Sequence, residues 1–300
     1  MPASLPFPAR LMAGEPLAKH TAVRLGGPAD WLYSARESED ELAAVVSAAW
    51  TANIPVRVLG GGANVLISDA GVRGLIVLNH VSAAGFDGDT VRASSGHGLM
   101  VLARKCASRG LAGFEWAASV PGTLGGAVVN NAGAHGGDMA GILLSAELLD
   151  AERGRVTLAP ADLAYGYRTS ALKARSNRNY LVLGARLRLT PGDPAAISSR
   201  IDEFIAWRKG TQPPGASLGS IFKNPSGDYA GRLIEACGLK GLTIGGVQVS
   251  PVHANFFVHR GGATASDYSA LIDRVQAAVL AQTGVQLDPE IERLGEGPTP

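Results

Sequence analysis

The amino-acid sequence predicts a fold in which helices and strands are mixed, either α/β or α+β, and which is divided into two domains. Segments with strand-like alternation and segments with helical spacing of apolar residues follow one another along the chain. The chain has 300 residues, more than one small hydrophobic core normally holds. Because Pro191-Gly192 interrupts this pattern, we expect domains at 1–190 and 191–300.

The first domain contains clear helix and strand signals. Ser38 and Glu41 have the spacing of a capping box, and apolar residues at helical spacing continue to about Asn53. A second helix is predicted from about residue 97 to residue 109, where Gly110 ends it. Short strands are predicted at residues 55–59, 75–78 and 180–190.

Two helices are predicted in the second domain. The first begins with Asp193 as its cap and Pro194 at its first position, where the missing N–H costs nothing. Thr264 and Asp267 open the last and longest helix, which Gly284 ends. The apolar stripe of the first of these helices consists of Ile197, Ile201, Phe204 and Ile205.

Composition and charge exclude several classes of protein. Lys and Arg number 27 against 26 Asp and Glu, and no long basic block occurs, so nucleic-acid binding is not expected. The two cysteines, Cys106 and Cys237, provide no disulfide framework, and no stretch has the ~20 apolar residues of a membrane span. Residues 1–8 contain three prolines and do not resemble a signal peptide. We therefore expect a cytoplasmic protein without membrane contacts.

Glycine is unusually frequent and is concentrated in two places. It accounts for 39 of 300 residues, about 13%, where roughly 7% is average. We call residues 59–69, which include Gly60-Gly61-Gly62, the first glycine segment, and residues 119–133 the second glycine segment. Runs of glycine after a strand expose backbone N–H groups that suit phosphate oxygens. A pair of ordinary glycine turns is the structural alternative.

The two segments do not have the pattern of the common nucleotide-binding loops. A Rossmann loop requires G-x-G-x-x-G between a strand and a helix, whereas residues 65–67 look extended and another turn follows at once. A Walker loop requires Gly-Lys-Ser/Thr, which is missing from the sequence. Two glycine segments about 60 residues apart instead suggest a long dinucleotide held between two lobes. No histidines have the spacing of metal ligands, so no metal site is expected.

Several motifs in order along the chain resemble those of UDP-N-acetylenolpyruvoylglucosamine reductase, also called UDP-N-acetylmuramate dehydrogenase. Each motif is weak alone, but together they cover most of the chain. Besides the two glycine segments they are His20–Asp30, Tyr167–Ser170, Gly219–Pro225, Ala230–Glu235, His253–Phe256 and Pro289-Glu290. The short stretch between Arg168 and Ser220 resembles the second type of this family, which lacks an extra substrate loop.

The resemblance implies an α+β fold with a two-lobed FAD-binding region of the vanillyl-alcohol-oxidase (PCMH) type. A C-terminal α/β substrate-binding domain would follow, whose last strand returns to the active site. FAD would be bound non-covalently, and NADPH and a UDP-sugar would be the small-molecule partners of a monomeric enzyme. The residues implied to bind FAD are Gly60, Gly61, Gly62, Ala63, Asn64, Val65, Pro121, Gly122, Gly125, Gly126, Ala127 and Gly133.

The implied reaction is the reduction of the enolpyruvyl ether of UDP-N-acetylglucosamine enolpyruvate to UDP-N-acetylmuramate, a peptidoglycan precursor. Hydride addition to the alkene leaves an enolate next to the substrate carboxylate, so the site needs cationic groups and a proton donor. By resemblance, Arg168 and Glu290 stabilise the enolate and Ser220 delivers the proton. Substrate-binding roles are implied for Tyr167, Lys223 and Asn224.

Three residues depart from the family pattern. Ala63 replaces a serine in the first glycine segment, which removes a hydroxyl on the phosphate side. His135 stands where tyrosine is common. Glu292 stands two residues after Glu290, where arginine is common, so the assignment of the catalytic glutamate stays open between them; the preceding proline favours Glu290.

Two other functions are compatible with parts of the sequence. An FAD-linked oxidase of the same fold would act on an alcohol or hydroxy acid and use oxygen. Such enzymes often attach flavin through a histidine near the first glycine segment, and none lies between Gly60 and Asp69. A nucleotide-sugar sensor without activity would not need Arg168, Ser220 and Glu290.

Overall fold

The computed structural model describes residues 10–295, which divide into two units. Unit 1 contains the residues up to Ala13, Trp31–Gly61 and Gly74–Arg208. Unit 2 contains Gly14–Asp30, Gly62–Arg73 and the residues from Lys209 onwards. Within the described range, no helix combines the length and the apolar character that crossing a membrane requires.

The elements alternate along the chain as the sequence patterns predict. The strands are β1 (Met12–Ala13), β2 (Ala29–Ala35), β3 (Val56–Leu59), β4 (Val65–Ile67), β5 (Val72–Asn79), β6 (Ala84–Asp87), β7 (Thr90–Ser94), β8 (Leu111–Ala112), β9 (Gly133–Ala134), β10 (Gly137–Asp138), β11 (Leu143–Asp150), β12 (Gly154–Leu158), β13 (Tyr180–Arg188), β14 (Thr190–Pro191), β15 (Thr243–Ile244), β16 (Val247–Val249), β17 (Phe257–His259) and β18 (Glu292–Leu294). The α-helices are α1 (Glu39–Thr51), α2 (Leu99–Ala107), α3 (Leu124–Asn130), α4 (Ala171–Ala174), α5 (Pro194–Thr211), α6 (Ala230–Ala236) and α7 (Ala265–Thr283).

The first lobe of unit 1 is a four-stranded sheet covered by α1. Its strand order is β1-β2-β5-β3, and β3 pairs with β5 in parallel, with Val58 opposite Val77. The apolar face of α1, which includes Leu42 and Val46, is buried against this sheet and against residues of β11 and β13. Because β3 is the last strand in this order, the first glycine segment begins at the edge of the sheet.

The second lobe of unit 1 is an antiparallel sheet with helices on its buried side. Its strand order is β12-β11-β13-β7-β6, with Ala146 of β11 opposite Ala185 of β13. The core beneath it contains the apolar residues of α2 and α3, among them Leu102 and Val128. These two sheets and their helices form the mixed fold that the sequence predicts.

The helix α5 belongs to unit 1, although the sequence predicts a domain boundary before it. Ile197 and Ile201 are buried in the same core as α2 and α3. Phe204 and Ile205 pack against that core from its edge. Hydrophobic burial therefore sets the edge of the compact unit at Arg208 rather than at residue 190. The functional division into a cofactor region at 1–190 and a substrate region at 191–300 stays a prediction.

Unit 2 is built around the long helix α7 and a three-stranded sheet, β15-β16-β17. Thr264 and Asp267 open α7 as predicted and form a capping box there, and Gly284, with a φ of +73°, ends the helix. The carboxylate of Asp69 also accepts hydrogen bonds from the N–H groups of the first two residues of α7. The buried side of α7 faces one core that also contains Phe222, Leu66 and other apolar residues of unit 2.

The start of α1 differs from the predicted capping box. The Ser38 hydroxyl accepts the N–H of Glu41 over 3.1 Å, as expected for an N-cap. The Glu41 carboxylate, however, accepts a hydrogen bond from the Tyr33 hydroxyl over 2.6 Å and others from the N–H groups of Arg36 and Glu37. A tertiary contact with β2 has therefore taken the place of the local return bond to Ser38.

Candidate active site

The two glycine segments meet in unit 1, as a shared dinucleotide site requires. A Cβ atom on Gly60 would lie 2.2 Å from the Thr123 hydroxyl oxygen, and one on Gly61 would lie 3.2 Å from the Cα of Gly122. A side chain on Gly60 would displace Thr123, and one on Gly61 would press on the backbone of Gly122, so glycine favours this close approach of the two segments. The separation of about 60 residues in the sequence is thus closed by folding.

The second glycine segment leaves room for a ligand beside its backbone. A Cβ on Gly126, in the first turn of α3, would have the Thr123 hydroxyl at 4.0 Å as its nearest neighbour. Gly122 has a φ of +121°, a conformation that L side chains rarely adopt, and a Cβ there would meet no atom within 4 Å. The protein itself therefore does not require small residues for packing at these two positions. The N–H groups of Leu124 and Gly125 donate to the main-chain oxygens of His97 and Ser95, so the space open to a ligand lies beside Gly122 and Gly126.

Other predicted cofactor residues in this segment face the protein instead. A Cβ on Gly125 would lie 2.9 Å from the Cβ of Ser95, and Ala127 is buried. A Cβ on Gly133 would lie 2.6 Å from the Cβ of Asp138, across the hairpin of β9 and β10. These residues let α3 and the hairpin pack closely. Their contact with FAD stays a prediction, as does that of Pro121, which is exposed before α3.

A buried histidine supports the second glycine segment. The main-chain oxygen of His97 accepts the N–H of Leu124 over 2.9 Å, at the first residue of α3. The His97 side chain is 1% exposed, its Nδ1 lies 3.1 Å from the Gly98 oxygen and its Nε2 lies 3.0 Å from Nζ of Lys105. Burial lowers the pKa of His97, with the Lys105 ammonium acting in the same direction. The imidazole is therefore neutral, and Lys105 donates to it.

The remainder of the first glycine segment lies in unit 2. Gly62 has a φ of +58°, and a Cβ on it would lie 2.2 Å from the main-chain oxygen of His20. The Asn64 side-chain amide donates to the main-chain oxygen of Glu290 over 3.2 Å. Val65 begins β4, which pairs in parallel with β18 so that Val65 lies opposite Glu292. The C-terminal strand β18 thus lies beside residues predicted to bind FAD.

In unit 1, Arg168 is held by main-chain oxygens beyond the C-terminal end of α3. Its Nη2 donates to the oxygen of Gly133 over 2.6 Å, and its Nη1 to that of Asn131 over 3.5 Å. Its backbone is left-handed, with a φ of +55°, which costs energy in a residue other than glycine. The Tyr167 ring, which is 57% exposed, has its centroid 5.5 Å from the guanidinium carbon. The fold therefore fixes the guanidinium beside the helix that the second glycine segment forms.

The residues flanking Arg168 bind the same helix end. The Tyr165 hydroxyl donates to the oxygen of Val128 over 2.8 Å, and the Ser170 hydroxyl donates to that of Val129. The Asn131 amide donates to the oxygen of Gly166 over 3.0 Å. Hydrogen bonds on both sides of Arg168 thus satisfy carbonyl groups that the last turn of a helix leaves unpaired.

In unit 2, Ser220 begins a short extended segment that is paired on both of its edges. On one edge Ser220 bridges to Phe256, and the N–H of Ile221 donates to the Asn255 oxygen over 2.9 Å. On the other edge the N–H of Glu290 donates to the Ile221 oxygen over 2.8 Å. Ser220 itself is half-buried. The structure therefore places two of the predicted catalytic residues, Ser220 and Glu290, on neighbouring segments of one unit.

The two candidate glutamates differ in their surroundings. Glu290 is half-buried beside the segment that carries Ser220, whereas Glu292 is exposed and lies in β18. The N–H of Glu292 donates to the Asn64 oxygen over 2.9 Å. The backbone of Glu292 is therefore used for strand pairing while its side chain faces solvent, which favours Glu290 as the catalytic residue.

Lys223 and Asn224 have structural partners as well as predicted substrate roles. Nζ of Lys223 lies 2.6 Å from the Asp288 carboxylate, and the main-chain N–H of Lys223 donates to the main-chain oxygen of Asp288. The Asn224 side-chain oxygen accepts the N–H of Ala230, the first residue of α6, over 3.1 Å. Asn224 thus supplies the hydrogen bond at the start of α6 that the side chain of Tyr229, the exposed residue at the N-cap position, does not form. Substrate binding by Lys223 and Asn224 stays a prediction.

Two residues of the site were not identified from the sequence. Thr123 touches Gly60 and faces the space beside Gly126, but a lone threonine before a glycine pair carries no signal of its own. Asn255 binds the Ser220 segment through both its main chain and its side chain. It lies within the motif His253–Phe256, so the motif pointed to it without indicating a role.

Comparison with known proteins gives matches in both halves of the chain. A family model described as "FAD binding domain" matches residues 33–159. A second, described as "UDP-N-acetylenolpyruvoylglucosamine reductase, C-terminal domain", matches residues 212–294. Together they confirm the predicted fold class, α+β with an FAD-binding region and a separate C-terminal domain.

Relatives match the chain almost from end to end. It is 47% identical over 285 residues to UDP-N-acetylenolpyruvoylglucosamine reductase of Rubrobacter xylanophilus, covering 94% of each chain. It is 45% identical over 288 residues to the reductase of the same name from a Synechococcus strain, covering 93% of this chain and 92% of that one. The crystal structure of the reductase from Thermus caldophilus matches with a TM-score of 0.81 and 34% identity, over 95% of this chain and 99% of that one.

Proposed function

The chain belongs to the UDP-N-acetylenolpyruvoylglucosamine reductase family, and we propose that Arg168, Ser220 and Glu290 perform its chemistry. It is an FAD-containing oxidoreductase that uses NADPH to reduce UDP-N-acetylglucosamine enolpyruvate to UDP-N-acetylmuramate, a precursor of peptidoglycan. The oxidase of the same fold, which the sequence left as an alternative, is not favoured by these relatives.

The substrate determines which groups the protein must provide. Its alkene is conjugated with a carboxylate, so addition of hydride to the terminal carbon produces an enolate on the adjacent carbon and carboxylate. FAD supplies this hydride when it is bound, after reduction by NADPH. The protein must hold the carboxylate, stabilise the charge that develops on it and deliver one proton to the enolate carbon.

Ser220 is the proposed proton donor. Its hydroxyl lies on an extended segment whose backbone is paired on both edges, so its position is fixed within unit 2. Serine is a weak acid in water, but an enolate carbon is basic enough to accept a proton from a well-placed hydroxyl. The Lys223 ammonium, three residues along, forms an ion pair with the Asp288 carboxylate.

Arg168 and Glu290 are the proposed enolate-stabilising groups. The guanidinium of Arg168 has a planar fork of donors that matches a carboxylate, and its hydrogen bond to Gly133 fixes one side of the fork. Glu290 acts by hydrogen bonding to the enolate in its protonated form, because an anion there would oppose the developing charge. Its main chain is held from two sides, by Ile221 and by Asn64.

One observation carries the assignment of Ser220 and Glu290. Asn64, in the first glycine segment, donates to the oxygen of Glu290, and the N–H of Glu290 donates to the oxygen of Ile221, next to Ser220. A residue of the predicted cofactor loop, the glutamate and the serine segment are thus joined by consecutive hydrogen bonds within unit 2. Nothing in ordinary strand packing requires these three motifs to be neighbours.

A direct assay tests the function. The purified protein with FAD should oxidise NADPH only when UDP-N-acetylglucosamine enolpyruvate is added, and mass spectrometry should show a product that is heavier by two hydrogen atoms. Oxygen uptake with an alcohol or hydroxy acid, and no NADPH oxidation with the sugar, would instead identify an oxidase. We also propose a cytoplasmic monomer; light scattering after size exclusion should give the mass of one chain.

A further inference from the structure

Asn255 is a buried polar residue whose side chain contacts the segment of Ser220 at both backbone groups of one residue. Its Oδ1 accepts the N–H of Phe222 over 2.9 Å, and its Nδ2 donates to the oxygen of Phe222 over 2.8 Å. The side chain is 3% exposed, so water does not replace these bonds when they are lost. The Asn255 amide thus forms the two hydrogen bonds with Phe222 that the backbone of a neighbouring strand would otherwise form.

The main chain of Asn255 extends the same contact toward Ser220. Its oxygen accepts the N–H of Ile221 over 2.9 Å, and the next residue, Phe256, forms the bridge with Ser220. On the far side of Ser220, Gly219 has a φ of +74°, and a Cβ there would meet no atom within 4 Å. The serine is therefore fixed from its C-terminal side, and Asn255 supplies three of the hydrogen bonds that fix it.

Asn255 is itself held in place by the turn that contains it. Its N–H donates to Nδ1 of His253 over 3.2 Å, and the N–H of Phe256 donates to the His253 oxygen over 3.0 Å. The Ser250 hydroxyl accepts the N–H groups of Val252 and His253. Burial lowers the pKa of His253, so its ring is neutral and Nδ1 accepts the Asn255 N–H. A rigid turn thus presents the amide to Phe222.

We propose that Asn255 is the positioning residue for the Ser220 hydroxyl, acting through the backbone of Phe222 and Ile221. This inference rests on the proposed function, in which Ser220 donates the proton. Because a displacement of about 1 Å at a reacting group can reduce a rate by about 10²-fold, loss of the amide clamp slows proton delivery without removing the donor. The step that oxidises NADPH does not need this proton and is unaffected.

The test is a double-mutant cycle with Asn255→Asp and Ser220→Ala, in which stopped-flow flavin absorbance reads each step. Asp keeps the shape and the acceptor at Phe222 but lacks the Nδ2 donor. In the enzyme with Ser220, Asn255→Asp should slow reduction of the sugar by about tenfold or more and leave NADPH oxidation within about twofold of wild type. In the Ser220→Ala background it should cause no further loss, because the group it positions is gone.

The control is Thr283→Val, which removes the 2.8 Å hydrogen bond from the Thr283 hydroxyl to the oxygen of Val279 and the bond that this hydroxyl accepts from the N–H of Val285, at the end of α7 in the same unit. Its melting temperature should fall, as that of Asn255→Asp does, but both steps should keep their rates. The test uses Asn255→Asp rather than Asn255→Ala, so it still decides whether Asn255 positions Ser220 if Asn255→Ala does not fold. Equal slowing of both steps, or the same loss with and without Ser220, would overturn the proposal while leaving Ser220 as donor. If Ser220→Ala reduces the sugar at the wild-type rate, both the role of Asn255 and the role of Ser220 as proton donor are overturned.

Discussion

The side-chain amide of Asn64 donates a hydrogen bond to the main-chain oxygen of Glu290 over 3.2 Å, joining residues that are 226 positions apart. β4 and β18 continue this contact as a parallel pair. The C-terminal strand therefore lies beside the first glycine segment, and its return to the active site stays a prediction. This arrangement also distinguishes Glu290 from Glu292, because the strand begins at Glu292.

The first prediction concerns these two glutamates. Glu290→Ala should slow reduction of the sugar by at least about 10²-fold, the usual effect of losing a positioned acid–base group. Glu292→Ala, which removes an exposed side chain two residues away, should retain a rate within about twofold of wild type. Stopped-flow measurement of the sugar-reducing step distinguishes them, and the reverse ranking would assign the role to Glu292.

The second prediction concerns the backbone that faces the cofactor. Gly126→Val adds a side chain to open space, 4.0 Å from the nearest protein atom, so the chain should fold and release FAD. The matched control is Gly85→Val in β6, where a Cβ also meets no atom within 4 Å. The ratio of flavin to protein absorbance should fall for Gly126→Val alone. Full FAD content in that variant would mean that the cofactor does not lie against α3.

The third prediction concerns the geometry of Arg168. Arg168→Lys keeps the charge but loses the planar fork, one side of which is anchored on Gly133. Sugar reduction should fall by about 10²-fold, while NADPH oxidation stays near the wild-type rate. The exposed Arg186 in β13 offers the control: Arg186→Lys should leave both steps unchanged. A wild-type rate for Arg168→Lys would show that only charge is needed.

The fourth prediction concerns acid stability. Burial raises the pKa of Glu41, but hydrogen bonds from Tyr33 and from the N–H groups of Glu37 and Arg36, together with the charge of Arg10, outweigh it and leave the pKa below the ordinary 4.5. The Glu41 carboxylate therefore binds a proton less readily in the folded chain than in the unfolded chain, so ionised Glu41 stabilises the folded state. This stabilisation is fully present above pH 4.5 and is lost as the pH falls below that value.

Glu41→Gln removes this contribution. Its melting temperature should be clearly below wild type at pH 7, because hydrogen bonds to a charged group are worth about 1.5–3 kcal/mol each. The melting temperatures of Glu41→Gln and wild type should become equal as the pH falls from 4.5 toward 3. A gap between the variant and wild type that is the same at all pH values would show that the charge on Glu41 does not contribute.

Local signals in the sequence predicted the helix ends well. Ser38, Thr264 and Gly284 occupy the capping positions that their residue types favour, because these contacts reach only a few residues along the chain. The strand β11 was not predicted, since Leu143–Asp150 is rich in leucine and contains residues that favour helices. Pairing with β13 and β12 determines its structure, and that pairing is not visible locally.

The site was predicted by motifs rather than by spacing. The catalytic roles of Ser220 and Glu290 stay predictions, while the structure places the two residues on neighbouring segments. The hydrogen bond between these segments runs through Ile221, and Asn255 pairs with the other edge of the Ser220 segment, contacts that depend on tertiary structure. The prediction that residues 191–300 form the second domain missed that α5 is buried with α2 and α3. It also missed that Gly62–Arg73 belongs to unit 2, because strand pairing over more than two hundred residues leaves no local pattern.

The central claim, that Ser220 delivers the proton, is tested most directly by following both steps in Ser220→Ala with stopped-flow flavin absorbance. NADPH oxidation should proceed at close to the wild-type rate, since it needs no proton from Ser220. Reduction of the sugar should fall by at least about 10²-fold, and Ser220→Cys should keep part of the rate because a thiol also donates. If Ser220→Ala slows both steps equally, Ser220 has a structural role and the account is contradicted.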